Sequence, residues 1–140
     1  LGDLASMASG LNWDEKYYSP FSIVTRAYFD DDLKNVILGL EINEKPGESF
    51  KYLSGATQLL AMCLEKATGE HLSDYVSKHF WQPMGAENDA LWQLDEAPDG
   101  IEKAYCCIAS NARDFARFGK LYLNNGNSKG IKQDIYRYSL

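Results

Sequence analysis

One stretch of the chain combines a residue that could do chemistry with a local structure that would hold it in place. Residues 46–55 read Pro-Gly-Glu-Ser-Phe-Lys-Tyr-Leu-Ser-Gly, which indicates a turn, a short extended segment and the start of a helix. At that junction the phenol of Tyr52 can project outward while Phe50 anchors the segment inward. A phenol has an ordinary pKa of about 10 and needs a nearby cation to act as a base near neutral pH. The pattern therefore predicts that Tyr52 relays protons, provided that a cation from another part of the protein lies beside it.

Neither a neighbouring cation nor a metal ion is indicated beside Tyr52. Lys51 is adjacent, but successive side chains of an extended segment point to opposite sides, so Lys51 should face away from it. His71 and His79 have no cysteine or carboxylate at ligand spacing, and we therefore expect no metal site and no cofactor. On residue type alone, a structural role for Tyr52 in capping the turn is the more common arrangement.

The helix that follows Tyr52 is the clearest element of the chain. Its apolar residues recur every three or four positions, which predicts a helix over 55–68 that Gly69 ends in the left-handed conformation. A second apolar face begins at Leu72 and predicts a helix that must stop before Pro83.

A third helix is predicted over 111–124. Asn111 can cap it, Asp114 occupies the reciprocal position of a capping box, and Asn-Gly ends it. The spacing places three aromatic residues on one face, which we expect to be a buried stripe: Phe115, Phe118 and Tyr122.

Weaker patterns complete a mainly helical fold with one small hairpin. Residues 1–8 suggest the last turns of a helix, and 31–40 suggest a short helix after an acidic start. Residues 90–94 and 102–108 are two short extended runs on either side of Pro98-Asp99-Gly100, a turn signal, and together they predict the hairpin.

The segment 12–32 has no clean periodicity and is predicted to be a loop. Two arrangements of its aromatic residues remain open. In the favoured one they pack inward over the helices, and in the other they form a contact patch for another protein. The residues concerned are Trp13, Tyr17, Tyr18 and Phe21.

Composition excludes some functions. The net charge of −6 and the pI near 4.8 argue against a nucleic-acid partner, which would need clustered lysine and arginine. No apolar run is long enough to predict a membrane span, and a chain without an initiating Met is expected to be part of a longer protein. Because Cys106 and Cys107 are adjacent, a bridge between them would be strained, and we expect them, with Cys63, to act as small buried residues.

Four stretches resemble, in order and spacing, the β-lactamase-related serine hydrolases, which include class C β-lactamases, penicillin-binding DD-peptidases, esterases and 6-aminohexanoate-dimer hydrolases. In the first, 46–69, Pro-Gly, an aromatic residue, Tyr-x-Ser, Leu-Leu and Thr-Gly follow one another. The others are Leu4 with Ser9-Gly10-Leu11, the corner Trp81-x-Pro-Met-Gly85, and Ala112 to Leu121 followed by Asn-Gly. Within the family, the 6-aminohexanoate-dimer hydrolases and neighbouring esterases are the most similar.

The resemblance assigns roles to two residues. In the family a Ser-x-x-Lys motif supplies a nucleophilic serine and a lysine, and the tyrosine of a Tyr-x-Asn motif exchanges protons with them. Tyr52 matches that tyrosine and is the implied catalytic residue, and Ser54 replaces the asparagine as the implied substrate-binding residue. Ser49 to Lys51 has the wrong spacing for the nucleophile motif, and Ser128-Lys129-Gly130 lies in a tail. Because a hydroxyl makes fewer contacts than an amide, this substitution favours esters or linear amides over β-lactams as the substrate class and leaves β-lactam hydrolysis open.

The resemblance further implies that residues 1–140 are a single partial domain, the helical subdomain of a β-lactamase-like α/β fold without its nucleophile and final strand regions. The chain would supply Tyr52 to an acyl-transfer site for a small amide or ester and be inactive alone, because the nucleophile must lie beside its base. The alternative is a non-catalytic binding or scaffold module. Apolar surface exposed by separation from the sandwich should favour self-association. The resemblance favours the bacterial periplasm or cell envelope for the parent protein and leaves the cytoplasm open.

Overall fold

The computed structural model describes residues 1–96 and 100–126, and this part of the chain is mainly helical with one two-stranded sheet. None of the described helices is long and apolar enough to cross a bilayer. In chain order the elements are α1 (Gly2–Ala5), α2 (Ile23–Phe29), α3 (Leu33–Leu38), α4 (Ser54–Thr68), α5 (Leu72–Val76), a π-helical turn (Ser77–Trp81), β1 (Leu91–Trp92), β2 (Ile108–Ala109) and α6 (Ala112–Leu123).

The chain forms two compact units. The first comprises Leu1–Gly69 and Gln93–Cys107, and the second comprises Glu70–Trp92 and the described residues from Ile108. The core of the first unit is built from the N-terminal segment and α2 to α4, and its buried apolar residues are Leu11, Trp13, Val24, Ala27, Leu33, Val36, Ile37, Leu53 and Ala56.

Helix α4 forms where the apolar spacing predicts it. Gly69 ends the helix with a φ of 73°, the left-handed conformation that glycine adopts without strain. The first half of α4 is the more deeply buried, at Ser54, Gly55, Ala56, Gln58 and Ala61. The expected apolar face is only half-buried, at Leu59, Leu60, Cys63 and Leu64.

A buried amide joins α4 to the returning segment 93–107. The Nε2 of Gln58 donates to the carbonyl oxygen of Glu102 at 2.9 Å, and the Oε1 of Gln58 accepts from the N–H of Ala104 at 2.7 Å. Both polar ends of the side chain are thereby satisfied, which is what allows an amide to lie in the core.

The segment 12–32 contains α2, so the expectation of a loop throughout was wrong. The Ser22 hydroxyl caps α2 by accepting from the N–H of Thr25 at 3.3 Å, and Val24 and Ala27 are buried. A helix of seven residues is too short to show a repeated apolar period in the sequence. At its other end Lys103 and Tyr105 donate to the last carbonyl groups, Nζ to Tyr28 at 2.5 Å and the hydroxyl to Ala27 at 2.9 Å.

The aromatic residues of this segment do not all pack inward as expected. Trp13 is buried in the core of the first unit. Tyr17, Tyr18 and Phe21 are exposed, Phe21 almost completely at 96%. The expectation of an inward-facing loop therefore holds for Trp13 alone.

The short helices α1 and α3 are each four residues shorter than the patterns 1–8 and 31–40 suggest. The Asp32 carboxylate caps α3 by accepting from the N–H of Asn35 at 3.1 Å. Asp95 accepts from the N–H of Leu33 at 2.9 Å and from that of Ile101 at 2.7 Å, which ties the start of α3 to the segment 95–101.

In the second unit α5 continues into the π-helical turn, and α6 begins as predicted with an Asn111 cap. The Oδ1 of Asn111 accepts from the N–H of Asp114 at 3.0 Å. The Asp114 carboxylate does not complete the capping box through the Asn111 backbone, because it accepts from the N–H groups of Glu87 at 2.9 Å and Asn88 at 3.1 Å. It is completely buried.

The apolar stripe of α6 is exposed, which corrects the expectation of a buried stripe. The buried residues of α6 are Asp114 and Leu121. The aromatic rings make edge contacts within the described part of this unit, Phe115 with Trp81 and Phe118 with Phe80 and Tyr122. Edge contacts leave one side of each ring open, so Phe115, Phe118 and Tyr122 stay accessible.

The hairpin is shorter than predicted. β1 pairs with β2 in antiparallel register, Leu91 with Ala109 and Trp92 with Ile108, and both strands belong to the second unit. In the first unit an isolated antiparallel bridge joins Leu94 and Glu102. Pro98 and Asp99 of the predicted turn lie outside the described residues.

The expectation of three unlinked, buried cysteines was wrong. Cys106 and Cys107 form a disulfide between adjacent residues, and the backbone turns there, with Cys107 at a φ of 73°. Cys63 is a free, half-buried thiol.

Candidate active site

Tyr52 lies at the surface of the first unit, directly before α4. It is 56% exposed, and its hydroxyl makes no hydrogen bond within residues 1–96 and 100–126. The next residue, Leu53, is buried in the core and fixes the backbone. Phe50, which the sequence suggested as the anchor, is itself 76% exposed, so that expectation was wrong and Leu53 has this role.

The cation closest to Tyr52 in sequence is engaged elsewhere. The Lys51 Nζ lies 3.4 Å from Oε1 of Glu44, and both side chains are about half exposed. The Lys51 N–H donates to the carbonyl oxygen of Met7 at 2.7 Å, which holds the extended segment in place. An amine to lower the pKa of a relay phenol would therefore have to come from another part of the protein.

Ser54 is almost completely buried, at 1% exposed, and is held by Glu15. The Glu15 carboxylate accepts from the Ser54 N–H at 2.5 Å and from the Ser54 hydroxyl at 3.1 Å. The Tyr17 hydroxyl lies 3.4 Å from the same Ser54 oxygen. The role of Ser54 in substrate binding stays a prediction, and its hydroxyl would have to turn away from Glu15 to meet a substrate.

Sequence reasoning missed Glu15. The residue lies 39 positions before Ser54 in a segment without periodicity, and no motif or spacing connects the two. The available signal was the start of α4, where Leu53 has no side chain able to accept a hydrogen bond. The first N–H groups of a helix without a polar cap are satisfied by water, by a tightened first turn or by an acceptor from elsewhere in the fold.

Three tyrosines form an edge-to-face row in the same unit. The ring centroids of Tyr17 and Tyr28 are 6.1 Å apart, and those of Tyr28 and Tyr105 are 5.3 Å apart. Burial raises the pKa of Tyr28 and Tyr105, with Glu15 adding to the effect at Tyr28. The Ser54 hydrogen bond lowers the pKa of Tyr17, but burial and the Glu15 carboxylate outweigh it and raise that pKa. All three phenols therefore stay protonated near neutral pH.

An apolar cleft of about 670 Å³ lies toward the other end of α4. Its walls include Leu38, Leu59, Met62 and Ile101, and Lys34 and Lys66 also line it. None of the predicted site residues lines the cleft, and the proposed chemistry does not use it.

The structure presents the Tyr52 phenol at the surface, on a backbone that the buried Leu53 holds in place. Ser54 is the hydroxyl nearest in sequence, but it is buried and bound by a carboxylate, which is a weak base. The tail sequence Ser128-Lys129-Gly130 lies outside the described residues.

Comparison with known proteins supports the resemblance to the β-lactamase-related serine hydrolases. The β-lactamase family model matches residues 1–136. The 6-aminohexanoate-dimer hydrolase of Paenarthrobacter ureafaciens is 31% identical over 81 residues, which cover 58% of this chain and 20% of that protein. Protein flp of Staphylococcus aureus (strain MW2) is 30% identical over 65 residues, 46% of this chain and 13% of that protein.

A solved structure of a candidate 6-aminohexanoate-dimer hydrolase from Bacillus anthracis superimposes with a TM-score of 0.80 at 29% identity, and the match covers 95% of this chain and 38% of that one. The chain therefore spans a minor part of each relative. Since the family model matches nearly its whole length, the chain belongs to the β-lactamase family.

Proposed function

We propose that this chain is the helical part of a serine hydrolase that cleaves a small amide or ester through an acyl-enzyme, and that Tyr52 is its catalytic tyrosine. The observation that carries the proposal is that the Tyr52 phenol is exposed while Leu53, the next residue, is buried and holds the backbone in place. The names of the Paenarthrobacter and Bacillus relatives support a linear amide as the substrate class.

In the proposed mechanism a serine outside residues 1–140 attacks the substrate carbonyl, and the proton of that serine passes to Tyr52. The phenol later returns the proton to the leaving group, so it acts as base and then as acid. A neighbouring ammonium group is needed to hold the phenolate form near neutral pH. Tyr52 suits this role because its hydroxyl is not committed to another group within the described residues.

Under this proposal residues 1–140 by themselves do not turn over substrate. Ser54 cannot serve as the nucleophile while it remains 1% exposed and bound to Glu15. We place Ser54 in the substrate-binding wall beside Tyr52, where a movement away from Glu15 would let its hydroxyl reach a substrate carbonyl.

The experiment compares the 140-residue chain with the full-length protein, using a chromogenic ester and a serine-reactive phosphonate. The full-length protein should hydrolyse the ester and take up one phosphonate at a serine outside residues 1–140. The chain alone should do neither. A stoichiometric adduct at Ser54, or turnover by the chain alone at the full-length rate, would overturn the proposal.

A binding or scaffold module is the second candidate, and the exposed side chains of Tyr18 and Phe21 favour it. Solvent-exposed aromatic residues often anchor protein contacts. The two functions differ in the flanking sequence: a Ser-x-x-Lys motif encoded a few dozen residues before Leu1 supports the hydrolase, and a start codon directly before Leu1 supports the module.

A further inference from the structure

Glu15 accepts four hydrogen bonds from three residues. Its donors are the Trp13 indole N–H at 3.0 Å, the Tyr17 hydroxyl at 2.7 Å, and the N–H and hydroxyl of Ser54 at 2.5 and 3.1 Å. Both carboxylate oxygens are used, each by two donors. An ionised carboxylate can accept all four, because it offers about four acceptor sites and no competing proton.

The position of Glu15 makes it the cap of α4. Leu53 is the residue before the helix and has no side-chain acceptor to offer; the Ala56 N–H donates to the Leu53 carbonyl oxygen at 3.0 Å, and the Ser54 N–H donates to Glu15. A negative charge at a helix N-terminus is also stabilised by the helix dipole. Glu15 thus fixes the backbone at Ser54, two residues after Tyr52.

The same carboxylate engages the phenol of Tyr17, and its charge helps to raise the pKa of Tyr17 and Tyr28. Those two tyrosines stay neutral and are held in the first unit. Tyr52, unlike Tyr17, makes no hydrogen bond to Glu15, and its phenol is exposed at the surface of the same unit. Glu15 therefore holds Tyr17 by a direct hydrogen bond and acts on Tyr52 only through the backbone at Ser54.

We infer that Glu15 is a positioning residue for Tyr52: by capping α4 through Ser54 it holds the catalytic phenol in its reactive geometry. This inference rests on the proposed function of Tyr52. The positioning itself can be measured without activity, because Glu15 should fix the Tyr52 environment whether or not Tyr52 does chemistry.

The test uses Glu15→Ala and Glu15→Gln in the full-length protein, with Glu48→Gln as the matched control. Glu48 is an exposed glutamate that pairs with Lys45 and lies closer to Tyr52 in sequence. Glu15→Ala should lower kcat about 10- to 100-fold with KM nearly unchanged, because misplacing a reacting group affects the chemical step more than binding. Glu15→Gln keeps an acceptor for Ser54 and should recover part of the loss, while Glu48→Gln should match the unaltered protein.

Two structural measurements accompany the kinetics. The ring signal of isotope-labelled Tyr52, assigned by its loss in Tyr52→Phe, should shift or broaden in Glu15→Ala. Hydrogen exchange should quicken at the first turn of α4 and stay unchanged at its last turn. If Glu15→Ala does not fold, Glu15→Gln gives the same readouts with a smaller change expected.

An unchanged Tyr52 signal in a folded Glu15 variant would overturn the inference, even if kcat falls. Full activity of Tyr52→Phe would instead contradict the proposed function. The ring signal of Tyr52 and the hydrogen exchange of α4 in the Glu15 variants would then still test whether Glu15 positions Tyr52.

Discussion

The indole of Trp13 lies against Gly55 in the first turn of α4. A Cβ added at position 55 would come closer than 3.0 Å to three carbon atoms of the Trp13 ring. Trp13 is 3% exposed and cannot move into solvent without opening the core. The second residue of α4 is therefore a glycine, because the Trp13 ring occupies the space of a side chain, although glycine weakens a helix.

Gly55→Ala should destabilise the first unit by about 2 kcal/mol, because the added methyl group forces Trp13 or the helix to shift. The measurement is hydrogen exchange at the amides of α4. Gly119→Ala in α6 is the control, since a Cβ there meets nothing within 4 Å, and it should stabilise α6 by about 0.5 to 1 kcal/mol. Slower exchange of α4 in Gly55→Ala would show that the contact with Trp13 is not close.

Asp114 should make the second unit sensitive to acid. Hydrogen bonds from the Glu87 backbone, then from Asn111 and Asn88, lower the pKa of the Asp114 carboxyl from 3.8 to about 2, against the opposing effect of burial. A folded-state pKa below the ordinary value means that this stabilisation is complete above about pH 4 and is lost as the pH falls toward 2.

Asp114→Asn should lower the midpoint of thermal unfolding by roughly 5 °C or more at neutral pH and flatten its dependence on pH in the acid range. Asp74→Asn, which removes an exposed carboxylate from α5, is the control and should leave both nearly unchanged. If the midpoint of thermal unfolding of Asp114→Asn falls with acid as steeply as that of the unaltered protein, other carboxylates cause the acid sensitivity.

Tyr105 should make the first unit sensitive to alkali. Burial, with smaller effects of the neighbouring Tyr28 and Tyr17, raises the pKa of Tyr105 above its ordinary value of 10.0. The stabilisation is therefore present below about pH 10 and is lost as the pH rises further, because the unfolded chain releases the proton first. Tyr105→Phe removes the bond to Ala27 and should cost about 1 kcal/mol near neutral pH. It should also weaken the alkaline transition, followed by tyrosinate absorbance together with circular dichroism. An identical transition in Tyr105→Phe would contradict this assignment.

The 140-residue chain should associate with itself. Large apolar side chains are exposed on both units, among them Phe29, Phe50, Leu91, Phe118 and Leu123. On α6 the exposed rings of Phe118 and Tyr122 adjoin, with centroids 5.0 Å apart, and burial of adjoining apolar groups drives association. Sedimentation velocity should show dimers or larger species that increase with concentration. A single monomer peak at high concentration would contradict this expectation.

Local signals predicted α4 and α6 well, but they missed α2. The apolar spacing and Gly69 located α4, and the Asn111 cap located α6, because a period and a cap lie within a few residues of one another. Periodicity also placed Phe115 and Phe118 on one face, but it cannot say what covers that face, and they are exposed. Apolar periodicity shows which side chains share a helix face, but it does not show whether another part of the protein covers that face.

The contacts that build the candidate site were beyond sequence reasoning. Glu15 and Ser54, like Trp13 and Gly55, are about 40 positions apart, and each pair follows from how the core folds. The apolar Leu53 at the start of α4 could have indicated that a distant residue accepts from the helix, but not which residue. The catalytic role of Tyr52 stays a prediction that rests on its position and on the family.

The most direct measurement is the rate of acylation of the full-length protein by a chromogenic ester, before and after Tyr52→Phe. We expect this rate to fall about 100-fold or more with little change in KM, because loss of a general acid–base group typically removes that much. Tyr18→Phe, which removes an exposed phenol from the 12–32 segment, should leave the rate unchanged. A Tyr52→Phe protein that acylates as fast as the unaltered one would contradict the catalytic role of Tyr52.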